Sequence, residues 1–120
     1  MPMWAITQDG FVSAVAHRDE PGALMVRARD AQSLRSLADV TGASVVATPR
    51  ADYPYRVTVT KAAFAAWITE AVDAVDYPNF KSRAARTRGS RYARALSEVW
   101  STMHDIEDEQ ARPAQEGGCR

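Results

Sequence analysis

The stretch Leu24-Met25-Val26-Arg27-Ala28-Arg29 decides the fold, because small and apolar side chains alternate with two arginines along it. Successive side chains of a β-strand point to opposite faces, so Leu24, Val26 and Ala28 would line a core while the arginines face water. The same alternation returns over residues 55–60. Both stretches predict half-buried strands in a sheet that is covered on one side only.

Turn-forming residues separate further strands from these two. Asp9-Gly10 is a hairpin signal between the apolar segments 3–7 and 11–16. Residues 45–48 predict a short strand, which Pro49 ends because proline cannot donate to a sheet ladder.

Three helices are expected between and after the strands. Asp30 and Thr60 are favoured N-cap residues for the first two, and Gly42 suits the left-handed position just past a helix end. The second helix carries the apolar stripe Phe64, Trp67, Ile68, Ala71, Val72 and Val75. The last helix carries the stripe Tyr92, Leu96, Val99, Trp100 and Met103.

The order β-β-β-α-β-β-α-α predicts an α+β fold. We expect an antiparallel sheet of four or five strands with helices on one face, in a ferredoxin-like arrangement or a permuted variant, and the last helix packed on the domain. Residues 1–108 would form this single domain. Residues 109–120 have no apolar periodicity and contain Gly117-Gly118, which predicts a disordered tail.

Composition narrows the class of protein. The 120 residues are 46% hydrophobic and 25% charged, with zero formal net charge, which excludes a protein that coats nucleic acid or membrane over its whole surface. Cys119 is the only cysteine, so no disulfide forms within the chain. No signal peptide and no apolar run long enough for a membrane span is visible. These features predict a cytoplasmic protein that does not bind membranes.

Catalytic and metal-binding patterns are poorly represented. His17 and His104 are the only histidines, and Cys119 lies in the expected tail. His104 and Asp108 share a helix face near Glu107, but a third and a fourth metal ligand are missing. The sequence therefore predicts no enzyme, no cofactor and no metal site.

The strongest polar signal is a basic segment from Lys81 to Arg94. Six of its residues are basic, and no acid occurs between Asp76 and Glu98. It is either a solvated helix face or an electropositive patch for phosphates or an acidic protein surface. Loop tyrosines join it in the predicted partner-binding set, which is Lys81, Arg83, Arg86, Arg88, Arg91, Tyr53 and Tyr77.

Several short motifs connect this chain to a known family. They are Asp19-Glu20-Pro21 before residues 24–29, Ala51-Asp52-Tyr53 before Tyr55-Arg56, Asp76-Tyr77-Pro78-Asn79-Phe80-Lys81, and Tyr92 with Val99-Trp100-Ser101-Thr102-Met103. Through them the chain resembles, from about Phe11 to Met103, a family of small proteins from phage and prophage genomes, mostly of actinobacteria. The resemblance implies a phage-related intracellular accessory protein and supplies no catalytic residues.

These observations predict a non-enzymatic binding protein that engages a host macromolecule, for host takeover or as an inhibitor of a defence system, in the cytoplasm of a bacterial host. One alternative is a nucleic-acid accessory protein that uses the basic segment. Another is a nucleotide binder, with Tyr77 and Phe80 on the base and Arg83 or Arg86 on phosphate. The oligomeric state stays open, and a dimer is compatible with the sequence.

Overall fold

The computed structural model describes residues 1–76 and 85–107, and its contacts divide the chain into two compact units, residues 1–80 and 81–120. Each unit is described by itself. The predicted tail over residues 109–120 and the predicted site residues Tyr77, Lys81 and Arg83 lie outside the described residues. The single domain predicted for residues 1–108 stays a prediction.

The first unit is built on one five-stranded antiparallel sheet with the order β1-β2-β3-β5-β4. Its strands are β1 (Met3–Thr7), β2 (Gly10–Ala16), β3 (Ala23–Ala28), β4 (Val46–Ala47) and β5 (Tyr55–Thr60). The α+β prediction is confirmed, and of the two expected arrangements the permuted one agrees with this chain order. The Asp9-Gly10 signal also holds, since Thr7 pairs with Gly10 where the first hairpin closes.

One helix follows β3 and a second helix follows β5, and capping residues are found at their ends. In α1 (Gln32–Thr41) the backbone N–H of Ser33 donates to Asp30 Oδ1 at 3.2 Å, and Gly42 takes a left-handed φ of 76° past the end. In α2 (Lys61–Asp73) the hydroxyl of Thr60 accepts the N–H of Ala63 at 3.0 Å. Gly42 and Thr60 are confirmed at the helix ends, whereas the N-cap position of α1 is Ala31, and Asp30 accepts the N–H of Ser33 from the residue before it.

The core lies between one face of the sheet and the two helices. Its buried members are Val12, Ala14, Val26, Ala28, Leu34, Leu37, Val57, Val59, Phe64 and Trp67. Only the first half of the predicted α2 stripe is buried, because Val72 and Val75 are 61% and 76% exposed. Helical spacing defines a face of the helix, but it does not define how far along the helix the sheet extends beneath that face.

The second unit contains the last helix, α3 (Ser90–His104), which follows a helical segment at residues 85–88. No residue of α3 is buried, and Trp100 is 70% exposed. The prediction that the last helix packs on the domain stays a prediction. Among the described residues, no helix has the length and apolar character that crossing a membrane requires.

Candidate functional site

One row of side chains crosses the sheet on the face that α1 and α2 leave uncovered. The cross-strand pairs place side by side, from β1 to β4, the residues Trp4, Ser13, Arg27, Arg56 and Val46. Directly opposed side chains of antiparallel strands lie on the same face, 4.5–5.5 Å apart at Cβ as a rough guide. The strand neighbours of this row, among them Val26 and Val57, are core residues, so the row faces away from the helices.

Arg27 occupies the centre of this row and is held in place by its neighbours. Its Nη2 group donates to the hydroxyl of Ser13 at 2.7 Å, and Ser13 itself is fully buried. The Arg27 Nη1 atom lies 3.7 Å from the carboxylate of Asp52, and only 14% of the Arg27 side chain is exposed. Arg27 is therefore a positioned cation and not a mobile surface side chain.

Arg56 shares the same carboxylate from the neighbouring strand. It donates to Asp52 Oδ1 at 2.7 Å and to the hydroxyl of Thr48 at 3.3 Å. Because 67% of the Asp52 side chain is exposed, this ion pair stands at the surface and water screens it. Its main effect is to fix the direction of the guanidinium group.

The Tyr53 ring lies beneath two arginines, Arg27 on β3 and Arg29 just after the end of that strand. The guanidinium carbons of Arg27 and Arg29 are 4.5 Å and 4.2 Å from the centre of the Tyr53 ring, a cation–π geometry. Arg29 also donates to the backbone carbonyl of Asp52 at 2.8 Å. Tyr53 is 7% exposed, because the turn folds back onto the sheet and the arginines cover the ring.

We call Arg27, Arg29, Arg56, Asp52 and Tyr53 the arginine cluster. Three guanidinium groups against one carboxylate leave it with a local formal charge of +2 on an uncovered face. Guanidinium groups with fixed planes are suited to bidentate binding of carboxylate or phosphate. The cluster can therefore hold an anionic group of a partner without much reordering of its own side chains.

An apolar patch continues the same face toward β1. Trp4 and Ile6 are 67% and 42% exposed, and the ring of Trp4 meets that of Phe11 edge to face at 5.5 Å. Val15 and Met25 pair with each other on this face. The uncovered face thus has an apolar half on β1 and β2 and a cationic half on β3 and β5.

The described part of the predicted basic segment lies in the second unit. Arg86, Arg91 and Arg94 are exposed, and the guanidinium of Arg88 lies 4.0 Å from the centre of the Tyr92 ring. Tyr53 belongs to the first unit, where its partners are the arginines of the sheet. Whether any predicted site residue binds a partner stays a prediction.

Sequence reasoning missed most of the arginine cluster as a site. Alternation predicts that Arg27, Arg29 and Arg56 lie on a solvent-exposed sheet face, but it does not predict that they lie beside one another. The sequence does contain a signal for it. Three arginines occupy outward positions of the alternating stretches, and Asp52 and Tyr53 lie just before the second of these stretches. Their meeting depends on β3 pairing with β5, which alternation within each strand does not specify.

The two histidines serve local structure. His17 Nδ1 accepts the backbone N–H groups of Asp19 and Glu20 at 3.0 and 3.1 Å, which holds the turn before β3. His104 Nδ1 lies 2.8 Å from a Glu107 carboxylate oxygen, and its ring stacks on Trp100. Among the described residues, no three His, Cys, Asp or Glu side chains come together as a metal site would need.

A groove of about 520 Å³ lies between β5, α1 and α2. Its lining includes Glu20, Glu70, Thr60 and the buried Trp67. No basic side chain is among the described residues that line it. The groove therefore does not favour a nucleotide phosphate.

Comparison of the chain with known protein families, with curated proteins and with solved structures finds no match.

Proposed function

We propose that this chain is a non-enzymatic binding protein that engages the acidic surface of a protein partner through the arginine cluster. One observation carries the proposal: three arginines are fixed side by side on the sheet face that α1 and α2 leave uncovered, next to an apolar patch. Tryptophan, tyrosine and arginine are the residues that dominate the binding energy of protein interfaces. A partner with carboxylates beside an apolar contact would match both halves of this face.

The state of Tyr53 favours a protein over a single nucleic-acid strand as the partner of this face. Sheet surfaces that bind single strands offer exposed aromatic rings on which bases stack. The Tyr53 ring is 7% exposed and lies beneath Arg27 and Arg29. Trp4 is the one strongly exposed aromatic ring on the described part of this face, so stacking of successive bases has little support.

The geometry suggests how binding would proceed. The local positive charge would steer an acidic partner and raise its association rate, an effect that salt weakens. Arg29, the exposed arginine of the cluster, would meet the partner's carboxylates first. Burial of Trp4 and Ile6 against the partner would then add the short-range, hydrophobic part of the binding free energy.

The proposal places this activity in the cytoplasm of a bacterial host. The expectation of phage origin, and with it host takeover or inhibition of a defence system, rests on the resemblance described above. Under that proposal the partner is a host protein with an acidic surface.

Charge reversal at Arg29 tests the proposal. The immobilised protein is used to capture partners from a host lysate, with Arg29→Glu as the test variant and Arg35→Glu, an exposed position on α1, as the matched control. We expect a defined protein to be retained by the wild type and by Arg35→Glu, and lost with Arg29→Glu. Binding of that purified protein should weaken as salt rises. Equal capture by all three proteins would exclude the arginine cluster as the site.

A second candidate is nucleic-acid binding by the basic segment, favoured by the exposure of Arg86, Arg91 and Arg94. Contacts to phosphates alone would give a steep salt dependence and little sequence preference. A gel shift with labelled single- and double-stranded DNA tests it, comparing the triple change of these arginines to glutamate with Arg29→Glu. Loss of the shift in the triple variant only would assign nucleic-acid binding to this segment.

A further inference from the structure

Strand β1 is an edge of the sheet, and no other strand of the described residues pairs with its outer side. It pairs with β2 alone, and the far side of the sheet ends at β4. An edge strand presents a row of backbone N–H and C=O groups that can pair with a strand from another chain.

The hydrogen-bond alternation of the sheet identifies these groups. The backbone N–H of His17 donates to the carbonyl of Ala23 at 2.9 Å, so odd-numbered residues of β2 bond to β3. Even-numbered residues of β2 then bond to β1, through its residues Met3, Ala5 and Thr7. The N–H and C=O groups of Trp4 and Ile6 therefore face the open edge.

The two edges of the sheet differ in how they are protected. At the far edge, β4 has only two residues, and Pro49 follows two positions further along the chain. Short strands and prolines are ways in which proteins block an edge. The five residues of β1 contain no charge and no proline, and Met3, Trp4 and Ile6 are 49%, 67% and 42% exposed.

We propose that β1 pairs antiparallel with β1 of a second copy of this chain, centred on Ala5, to form one continuous ten-stranded sheet. A row of outward backbone donors and acceptors can pair with an extended strand, and β1 is complementary to itself in the antiparallel orientation. In this register Trp4 lies opposite Ile6 of the second copy, twice by symmetry, which is a favourable aromatic–β-branched pair. With no charge on the strand, nothing repels the second copy.

This pairing keeps the uncovered faces of both copies on the same side. Opposed side chains of an antiparallel pair share a face, so the row that runs from Arg56 through Arg27 and Ser13 to Trp4 would continue into Ile6 of the second copy. The two apolar patches would merge at the centre, with an arginine cluster on each side. The dimer does not depend on the arginines, so Arg29→Glu should leave it unchanged.

Sedimentation equilibrium from micromolar to near-millimolar concentration tests the dimer. The wild type should dimerise, and Ile6→Lys should weaken dimerisation at least tenfold, because it places a cation at the centre of the pair. Thr58→Lys, exposed on the uncovered face of β5, and Trp100→Lys, exposed on α3, should leave the dimer intact. A wild type that stays monomeric overturns the proposal, and so does a dimer lost with Trp100→Lys but kept with Ile6→Lys, which would assign the interface to α3.

Cross-linking gives a second measurement that does not depend on how well Ile6→Lys folds. In a background with Cys119→Ser, Ala5→Cys would lie opposite itself and should form an intermolecular disulfide on mild oxidation. Thr7→Cys is the matched control, because its opposite in this register is Met3. Cross-linking of Thr7→Cys but not Ala5→Cys, or of neither, would exclude the proposed register.

Discussion

The guanidinium carbon of Arg29 lies 4.2 Å from the centre of the Tyr53 ring, and Arg29 also donates to the carbonyl of Asp52, the residue before that tyrosine. One side chain thus holds both the ring and the backbone of the turn before β5 against the end of β3. The arginine cluster is therefore part of the fold as well as a candidate binding surface. Loss of capture by Arg29→Glu therefore counts as loss of binding only where the circular dichroism spectrum and the urea midpoint of that variant match those of the wild type.

Two substitutions of Tyr53 should distinguish the contribution of its ring to stability from the contribution of its hydroxyl group. Tyr53→Ala removes a ring that is 7% exposed and carries two guanidinium groups, and we expect it to lower the free energy of unfolding by about 3 kcal/mol, as for other buried aromatics. Tyr53→Phe keeps the ring and should cost less than about 1 kcal/mol. Urea denaturation measures both. Similar losses in the two variants would mean that the hydroxyl, and not the ring, is what matters.

The ion pair between Arg56 and Asp52 should contribute little to stability. The two groups are 2.7 Å apart, but Asp52 is 67% exposed and water screens the pair. A double-mutant cycle with Arg56→Gln and Asp52→Asn should give a coupling free energy of about 0.5 kcal/mol. This coupling should shrink further at 1 M NaCl, where the Debye length is about 3 Å. A coupling of several kcal/mol would show that the pair is much better shielded from water than its exposure indicates.

Two tryptophans should respond in opposite ways to truncation. Trp67 is 6% exposed, lies in the core and donates from its indole N–H to the hydroxyl of Ser36 at 2.8 Å, so Trp67→Ala should cost about 3–5 kcal/mol. Trp100 is 70% exposed on α3, and Trp100→Ala should change stability by less than about 0.5 kcal/mol. Chemical denaturation of both variants checks this. A large loss for Trp100→Ala would contradict this expectation and support the prediction that the last helix packs on the domain.

The cap of α2 should be measurable at Thr60. Its hydroxyl accepts the N–H of Ala63 at 3.0 Å, and Thr60→Ala should lower stability by about 1 kcal/mol because that donor loses its partner. Thr60→Ser keeps the acceptor and should lose less. Thr58→Ala, on the exposed face of the same strand, serves as the control for the loss of a threonine from β5. If Thr58→Ala costs as much as Thr60→Ala, strand propensity and not capping explains the loss.

Local features of the fold could be predicted from the sequence because their causes lie within a few residues. Alternation placed β3 and β5, Asp9-Gly10 placed the first hairpin, and Thr60 and Gly42 marked helix ends. Each depends on the direction of successive side chains, on a favoured backbone conformation or on a hydrogen bond to a near neighbour. These causes act in the same way wherever the segment ends up in the fold.

Tertiary structure alone decided which of these features meet. The position of β5 between β3 and β4 sets Arg56 beside Arg27, and the turn that precedes β5 lays Tyr53 beneath two arginines. The same pairing pattern leaves β1 as an unprotected edge. Strand neighbours and register result from contacts between residues far apart in the chain, whose free energies compete across the whole sheet. The sequence by itself therefore determined the strands, the turns and the charges, whereas the assembly of the arginine cluster required the folded sheet.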